Sequence, residues 1–302
     1  MKIQENLNIS GDSLGESIAL TIGNFDGVHL GHQAVLKHLK ASASYTVVFT
    51  FSNHPAEVLH QAQVMRLTTL THRLALLEQI GIDQVILVPF TQEFAQQSAE
   101  SFLTTLKKHF SFHHLILGHD SVIGHDRKRD LQQLCAHLAF ALQYLPPITY
   151  HNLVVSSSAI RKSIQAGELA QASALLGRPY SIVATVQLGQ GKGREIGFPT
   201  ANLPVESLAL PPLGVYAVQV KLDGELLPAV ANLGRAPTFH AARPPCLEVH
   251  LINEQRDLYG QQLEVIFHTF IRPEKRFDTL SELQTQIHQD IKKANLSLHT
   301  QF

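Results

Sequence analysis

Two different hydrophobic rhythms run along this chain. In the first half, short apolar runs alternate with longer mixed stretches. Ser17–Ile22 predicts a strand, and the stretch from Gly31 to Lys40 predicts a helix. Tyr45–Phe51 is β-branched and aromatic and predicts the next strand. Leu67, Leu70, Leu74 and Leu77 recur at helical spacing, with Gly81 as a stop. Gln84–Pro89 and Leu115–Gly118 are further apolar strands, separated by a helical stretch over Ser98–His109. Such alternation predicts an α/β fold, a parallel sheet with helices on both faces that binds ligands at the C-terminal ends of its strands.

From Ser181 onward the rhythm shortens. Ser181–Leu188, Val215–Leu222, Leu226–Asn232, Cys246–Ile252 and Leu263–Phe267 all predict strands. Asp223–Gly224 between two of them is a hairpin signal. One amphipathic helix closes the pattern, with Leu280, Leu283, Ile287 and Ile291 on one face. This order predicts a small antiparallel β-barrel with a closing helix. The change near Gly177–Tyr180 divides the chain into domains 1–180 and 181–302.

Composition narrows the choice of function. The 302 residues are 44% hydrophobic, enough for a sizeable core. Lys and Arg number 24 against 25 Asp and Glu, a net charge of -1, which argues against a nucleic-acid partner. No apolar run reaches the roughly 18 residues of a membrane span, and the polar start of the chain does not read as a signal peptide. Two distant cysteines, Cys135 and Cys246, give neither a disulfide framework nor a cysteine zinc site, so a reducing cytoplasmic location is expected.

Chemistry concentrates first in Thr21–Gln33, TIGNFDGVHLGHQ. Glycines at a strand-to-helix transition place backbone N–H groups at a helix start, which favours phosphate. His29 and His32 are three apart, so one helical turn puts both on one face. Two imidazoles there can donate to phosphate oxygens, and Gly31 between them lets a nucleotide approach. The plainer reading is a glycine-rich turn with two surface histidines. A zinc site lacks an evident third ligand nearby.

Gly23-Asn24-Phe25-Asp26-Gly27-Val28-His29-Leu30-Gly31-His32-Gln33 resembles the signature of the bacterial bifunctional riboflavin kinase/FMN adenylyltransferases, also called FAD synthetases. Thr50-Phe51-Ser52-Asn53-His54-Pro55 is similar to the family's T-F-x-P-H-P segment, with Asn53 for proline. Ser156-Ser157-Ser158-Ala159-Ile160-Arg161 is similar to S-S-T-x-I-R, with Ser158 for threonine. In that superfamily this segment opens a helix and contacts ATP phosphates, consistent with hydroxyls and one Arg as an anion clamp. The segment Gly118–Arg127 keeps both glycines, Asp120 and Arg127 of the family pattern G-x-D/N-F-x-F-G but lacks both aromatics.

The second half carries Gly189–Asn202, GQGKGREIGFPTAN. Glycines dense with basic residues form a backbone cradle for phosphates, and the spacing is not that of a Walker loop. The Thr200 hydroxyl and Asn202 amide oxygen suit Mg²⁺. The block resembles the riboflavin kinase signature G-R-x-x-G-F-P-T-A-N. Pro212–Tyr216, Asn232–Phe239 and Leu247–Leu251 match later segments in order, and Arg272, Phe277, Leu283, Gln286 and Asp290 fit the pattern of the closing helix.

The resemblance implies a nucleotidyltransferase-like, Rossmann-like first domain and a riboflavin-kinase-like barrel second. It implies that His29 and His32 are catalytic in adenylyl transfer, that Gly23, Asn24, Asp26 and Gly31 shape the nucleotide pocket, and that Ser157, Ser158 and Arg161 hold phosphates. Asp120 and Arg127 would belong to the flavin pocket. In the second domain Gly193, Arg194 and Thr200 would bind nucleotide, Thr200 and Asn202 would hold Mg²⁺, and Glu248 would be the catalytic base. Riboflavin, FMN and ATP would be the substrates, with no permanently bound cofactor, nucleic acid or membrane partner. Three alternatives stay open at this point: a kinase whose first domain is degenerate, a non-catalytic flavin- or nucleotide-binding regulator, and an adenylyltransferase acting on another phosphate.

Overall fold

The computed structural model describes residues 1–5, 17–61, 63–126, 130–189, 191–235, 244–254 and 256–299. The chain divides into two compact units, Met1–Val64 with Leu70–Ser157, and Met65–Thr69 with Ser158–Phe302. The division therefore falls ahead of the Gly177–Tyr180 boundary read from the pattern.

The first unit runs β1 (Lys2–Gln4), β2 (Ile18–Ile22), α1 (Leu30–Ser42), β3 (Tyr45–Phe51), α2 (Pro55–His60), α3 (Leu70–Ile80), β4 (Gln84–Val88), α4 (Gln92–Ala95), α5 (Ala99–His109), β5 (His114–Gly118), α6 (Gln132–His137), β6 (Ala141–Leu145) and the hairpin β7 (Thr149–Tyr150) and β8 (Leu153–Val154). Strands β1 to β6 form one parallel sheet in the order β1-β4-β3-β2-β5-β6. Alternate side chains feed two cores. Leu20, Phe49, Ile86 and Leu117 pack with Phe102, Leu103 and Leu106 of α5. Ala19, Val48, Val85 and Ile116 pack with Leu36 and Leu39 of α1 and Leu77 of α3 on the other face. The strand order reverses between β2 and β5, so the C-terminal end of β2 is the topological switch point where such sheets bind ligands.

The second unit contains α7 (Ser157–Gln165, its first residue shared with the first unit), α8 (Leu169–Leu176), β9 (Ser181–Thr185), α9 (Lys192–Glu195), β10 (Ala201–Pro204), β11 (Gly214–Leu222), β12 (Glu225–Gly234), β13 (Cys246–Leu251), β14 (Gln262–Arg272) and α10 (Leu280–His299). Its strands pair antiparallel in the order β10-β13-β12-β11-β14-β9. A bridge between Gln187 and Asn202 draws the two edges together into a nearly closed barrel. Asp223 and Gly224, with φ of 50° and 86°, make the hairpin expected between β11 and β12. Ala294 and Leu298 of α10 cover Val215, Ala217 and Val230 on the outer face. Asp290, buried in α10, accepts from Arg272 Nε and Nη2 at 2.9 and 2.8 Å and pins the helix to the end of β14.

Several boundaries differ from the pattern. The helix expected around Leu67 begins only at Leu70, because Arg66 is bridged to Leu208 as extended chain. The strand from Ser181 ends at Thr185, and the strand from Leu263 continues to Arg272 through irregular pairing with β11. Among the described residues no helix is long and apolar enough to cross a membrane.

Candidate active sites

In the first unit β2 ends at Ile22 and the chain turns sharply before α1. Phe25 and Val28 take positive φ, 52° and 40°, and a β-branched residue there is strained. The turn is held in several ways. Gly23 N–H donates to the Phe49 carbonyl at 3.1 Å, and Val28 N–H to the Phe25 carbonyl at 3.1 Å. Asp26 is buried, and its carbonyl accepts from the Ser157 hydroxyl at 2.9 Å.

His29 is the N-cap of α1 and its Nδ1 accepts from the His32 N–H at 3.3 Å. Accepting at Nδ1 leaves the proton of a neutral ring on Nε2. The His32 ring stacks on His29 with centroids 3.6 Å apart and 16° between planes, and Phe25 lies 5.0 Å from it. A Cβ on Gly31 would stand 3.2 Å from the His29 ring, so glycine lets that ring fold back over the helix start. Burial, then the neighbouring His29 and then Arg73, hold the His32 pKa well below its ordinary value. At neutral pH the His32 ring is therefore held in its neutral form, stacked on His29 at a helix N-terminus.

Arg73 of α3 is a residue that sequence reasoning missed. It is buried, and its Nη1 donates to the Asn24 carbonyl at 2.6 Å and to Asn24 Oδ1 at 3.1 Å, while Nη2 donates to the Phe51 carbonyl. Asn53, where the family has proline, ties the turn after β3 to the turn after β4: its amide donates to the Phe90 carbonyl at 2.9 Å and accepts from Phe90 N–H at 2.7 Å.

The other expected residues of this region are placed as follows. Ser157 commits its hydroxyl proton to Asp26. Ser158 is exposed on α7, and Arg161, further along that helix, donates from Nε to the Met65 carbonyl at 2.7 Å. Asp120 is exposed, 3.9 Å from His119 Nδ1. Arg127 lies outside the described residues. At the two positions where aromatics are missing, Ser121 is half-buried and Ile123 is a buried part of the core beside α5.

In the second unit register builds the site. Glu248 on β13 pairs with Asn202 on β10 and with Asn232 on β12, so these three side chains share one face of the barrel wall. Its neighbours Leu247 and Val249 point the other way and are buried. Burial, and then Glu274, push the Glu248 pKa above the ordinary carboxylate range. Glu274 follows β14 and lies against Gly234, where any side chain would collide with its carboxylate; sequence reasoning missed it too.

Around this face the glycine-rich segment is tightly drawn. Phe198 N–H donates to the Gly193 carbonyl at 2.8 Å, and a Cβ on Gly193 would stand 3.3 Å from Thr200 Oγ1. A side chain at Gly189 would run into the Asn202 amide. His250 Nδ1 is 2.9 Å from the Pro199 carbonyl, and Phe198 is held edge-on between the rings of His250 and His288. On the side of the wall to which Val249 points, a cavity of about 500 Å³ opens beside Thr200 and Arg194, bounded also by Val186, Leu258 and Tyr259. That volume suits a nucleotide-sized ligand. Thr200 and Asn202 offer hard oxygen donors, and the glycines leave room around them, so these residues fit a cation that keeps phosphate oxygens as its other ligands.

Residues 12–159 match the FAD synthetase family model and residues 176–298 match the riboflavin kinase family model. A bifunctional riboflavin kinase/FMN adenylyltransferase from Escherichia coli is 37% identical over 300 residues, 96% of each chain. A protein of the same description from Haemophilus influenzae is 38% identical, covering 92% of this chain and 94% of its own, and one from Bacillus subtilis is 34% identical, covering 91% and 90%. A crystal structure from Streptococcus pneumoniae, described as a macrolide-efflux protein, superposes with a TM-score of 0.84 at 27% identity, over 98% of this chain and 99% of that one.

Proposed function

This chain belongs to the bifunctional riboflavin kinase/FMN adenylyltransferase family, and from that premise we propose how its residues share the work. It is an enzyme that phosphorylates riboflavin with ATP to FMN and then adenylylates FMN with ATP to FAD, releasing pyrophosphate. Residues 1–180 carry the adenylyl transfer and residues 181–302 the phosphorylation.

In the kinase step Gly193, Arg194 and Thr200 bind ATP, with its phosphates against the glycine-rich segment and near the face that carries Glu248. Glu248 takes the proton of the ribityl 5′-hydroxyl as its oxygen attacks the γ-phosphorus, and ADP leaves. Thr200 and Asn202 would hold Mg²⁺, which would supply neutralisation of the phosphate charge. A base with a raised pKa accepts that proton more readily than an ordinary carboxylate.

In the adenylyl step a phosphate oxygen of FMN attacks the α-phosphorus of ATP, and pyrophosphate leaves. His29 and His32 donate to the phosphate oxygens on which charge builds. Gly23, Asn24, Asp26 and Gly31 shape the pocket, Ser158 and Arg161 hold phosphates, and Ser157 anchors the turn through Asp26. Asp120 and Arg127 serve the flavin side by resemblance alone. The two free cysteines support the reducing, cytoplasmic setting.

The observation that carries this reading is that each unit assembles its own set: stacked His29 and His32 at a helix start in one, and Glu248 between Asn202 and Asn232 in the other. The test is purified protein with ATP and Mg²⁺, given riboflavin in one tube and FMN in another, with flavins separated by chromatography. FAD is expected in both. FMN without FAD would remove the adenylyl half, and no conversion would remove the whole reading.

A further inference from the structure

Arg73 stands on the buried face of α3 with Leu76 and Leu77, where an apolar side chain would serve packing alone. At 6% exposure its guanidinium has left water, which is costly unless the group is well bonded. Its fork reaches two turns at once. One arm holds both the backbone and the side-chain oxygen of Asn24, after β2, and the other holds the Phe51 carbonyl at the end of β3. Those turns sit side by side at the C-terminal edge of the sheet, and the first leads directly into His29. The charge also reaches the His pair, since it is one of three influences on His32, after burial and the stacked His29 ring.

We propose that Arg73 is a positioning residue for adenylyl transfer, holding Asn24 and the turn before α1 so that the stacked imidazoles of His29 and His32 are set for the α-phosphate. The proposal rests on the His-pair reading above. A role in packing alone predicts something different. Replacing a buried cation by an apolar side chain of similar size is often neutral or stabilising, so R73M would then keep the fold and the activity.

The experiment uses the full chain and four variants, R73M, R73K, R73Q and H29A, with FMN-to-FAD turnover, riboflavin phosphorylation, thermal unfolding and the NMR titration of the His32 imidazole measured for each. R73M is expected to lower kcat for FAD formation by about 10²-fold, the scale set by small misplacements of catalytic groups, with the KM for FMN and ATP little changed and riboflavin phosphorylation intact. R73K, which keeps a cation at the same place, is expected to recover most of that loss. The His32 resonance should titrate at higher pH in R73M and near the parent value in R73K. Where R73M leaves the first unit unfolded, R73Q is read in the same way.

Parental kcat in R73M would overturn the proposal. So would a loss that disappears when the assay is run well below the variant's unfolding midpoint, since Arg73 would then be a stabiliser only. His29→Ala separates the two levels of inference. If it leaves FAD formation intact, the His-pair reading has failed; if it lowers FAD formation while R73M leaves kcat at the parental value, only the role of Arg73 has failed.

Discussion

The two candidate sites face chemically unequal nucleophiles, and their side chains differ accordingly. The nucleophile of the first unit is a phosphate monoester, whose second pKa is about 6, so at neutral pH it arrives already ionised. It needs no base, and the turn before α1 offers donors: two stacked imidazoles at a helix start, with a buried guanidinium behind them. The nucleophile of the second unit is an alcohol, which must give up a proton as it attacks. There the barrel wall offers a carboxylate. Burial pushes both key groups toward their neutral forms, His32 downward and Glu248 upward. On the proposed roles, that keeps a donor neutral in one site and makes a stronger base in the other. The same loss of water thus gives opposite tools.

The sharpest way to break this contrast is Glu248→Gln. Removing the base should cut riboflavin phosphorylation by about 10²–10⁴-fold, the usual worth of a positioned general base, and leave FMN-to-FAD conversion unchanged. Normal phosphorylation would show that an alcohol can be activated here without the carboxylate. His29→Ala comes next. Loss of one donor to the developing charge should cost FAD formation about 10²–10³-fold and spare FMN formation, as read by chromatography of the products. Loss of both activities in a folded variant would end the division of labour. The mildest is Glu274→Gln. Taking away that negative charge should lower the Glu248 pKa part of the way, because burial, the larger cause, stays in place. The base is then ionised at lower pH, so the acid limb of the phosphorylation profile should move down while the plateau rate changes less than about tenfold. An unmoved limb would mean that Glu274 does not act on the base.

The α/β and barrel architectures were legible because their strands are long or periodic. Tyr45–Phe51 and Val215–Leu222 announce themselves through β-branched residues, and each is a strand in the structure. Strands β1 and β10 did not. Lys-Ile-Gln is too short to show a rhythm, and Ala-Asn-Leu-Pro becomes a strand only through its pairing with β13. His29, His32 and Gly189–Asn202 stood out because glycines, histidines and basic residues cluster there, whereas Glu248 was marked by resemblance alone. Arg73 and Glu274 did not stand out. One lies on the core face of a helix among leucines, and the other owes its role to the place where β14 releases the chain. Their importance is spatial, and nothing local marks it.

One detail of the chain's path bears on how the molecule is made. Met65–Thr69 belongs to the second unit although the residues on either side belong to the first. Arg66 N–H donates to the Ser207 carbonyl at 2.7 Å, Ala209 N–H donates to the Arg66 carbonyl at 2.8 Å, and the Thr69 hydroxyl reaches the Val183 carbonyl at 3.3 Å. During synthesis this short stretch leaves the ribosome long before any of those partners exists. The first unit can complete its sheet while the loop crossing it stays unpaired. A gene fragment ending at Ser157 would carry that loop permanently without its partners, and one starting at Ser158 would lack it, so neither half of this enzyme can be cut out cleanly at a single point.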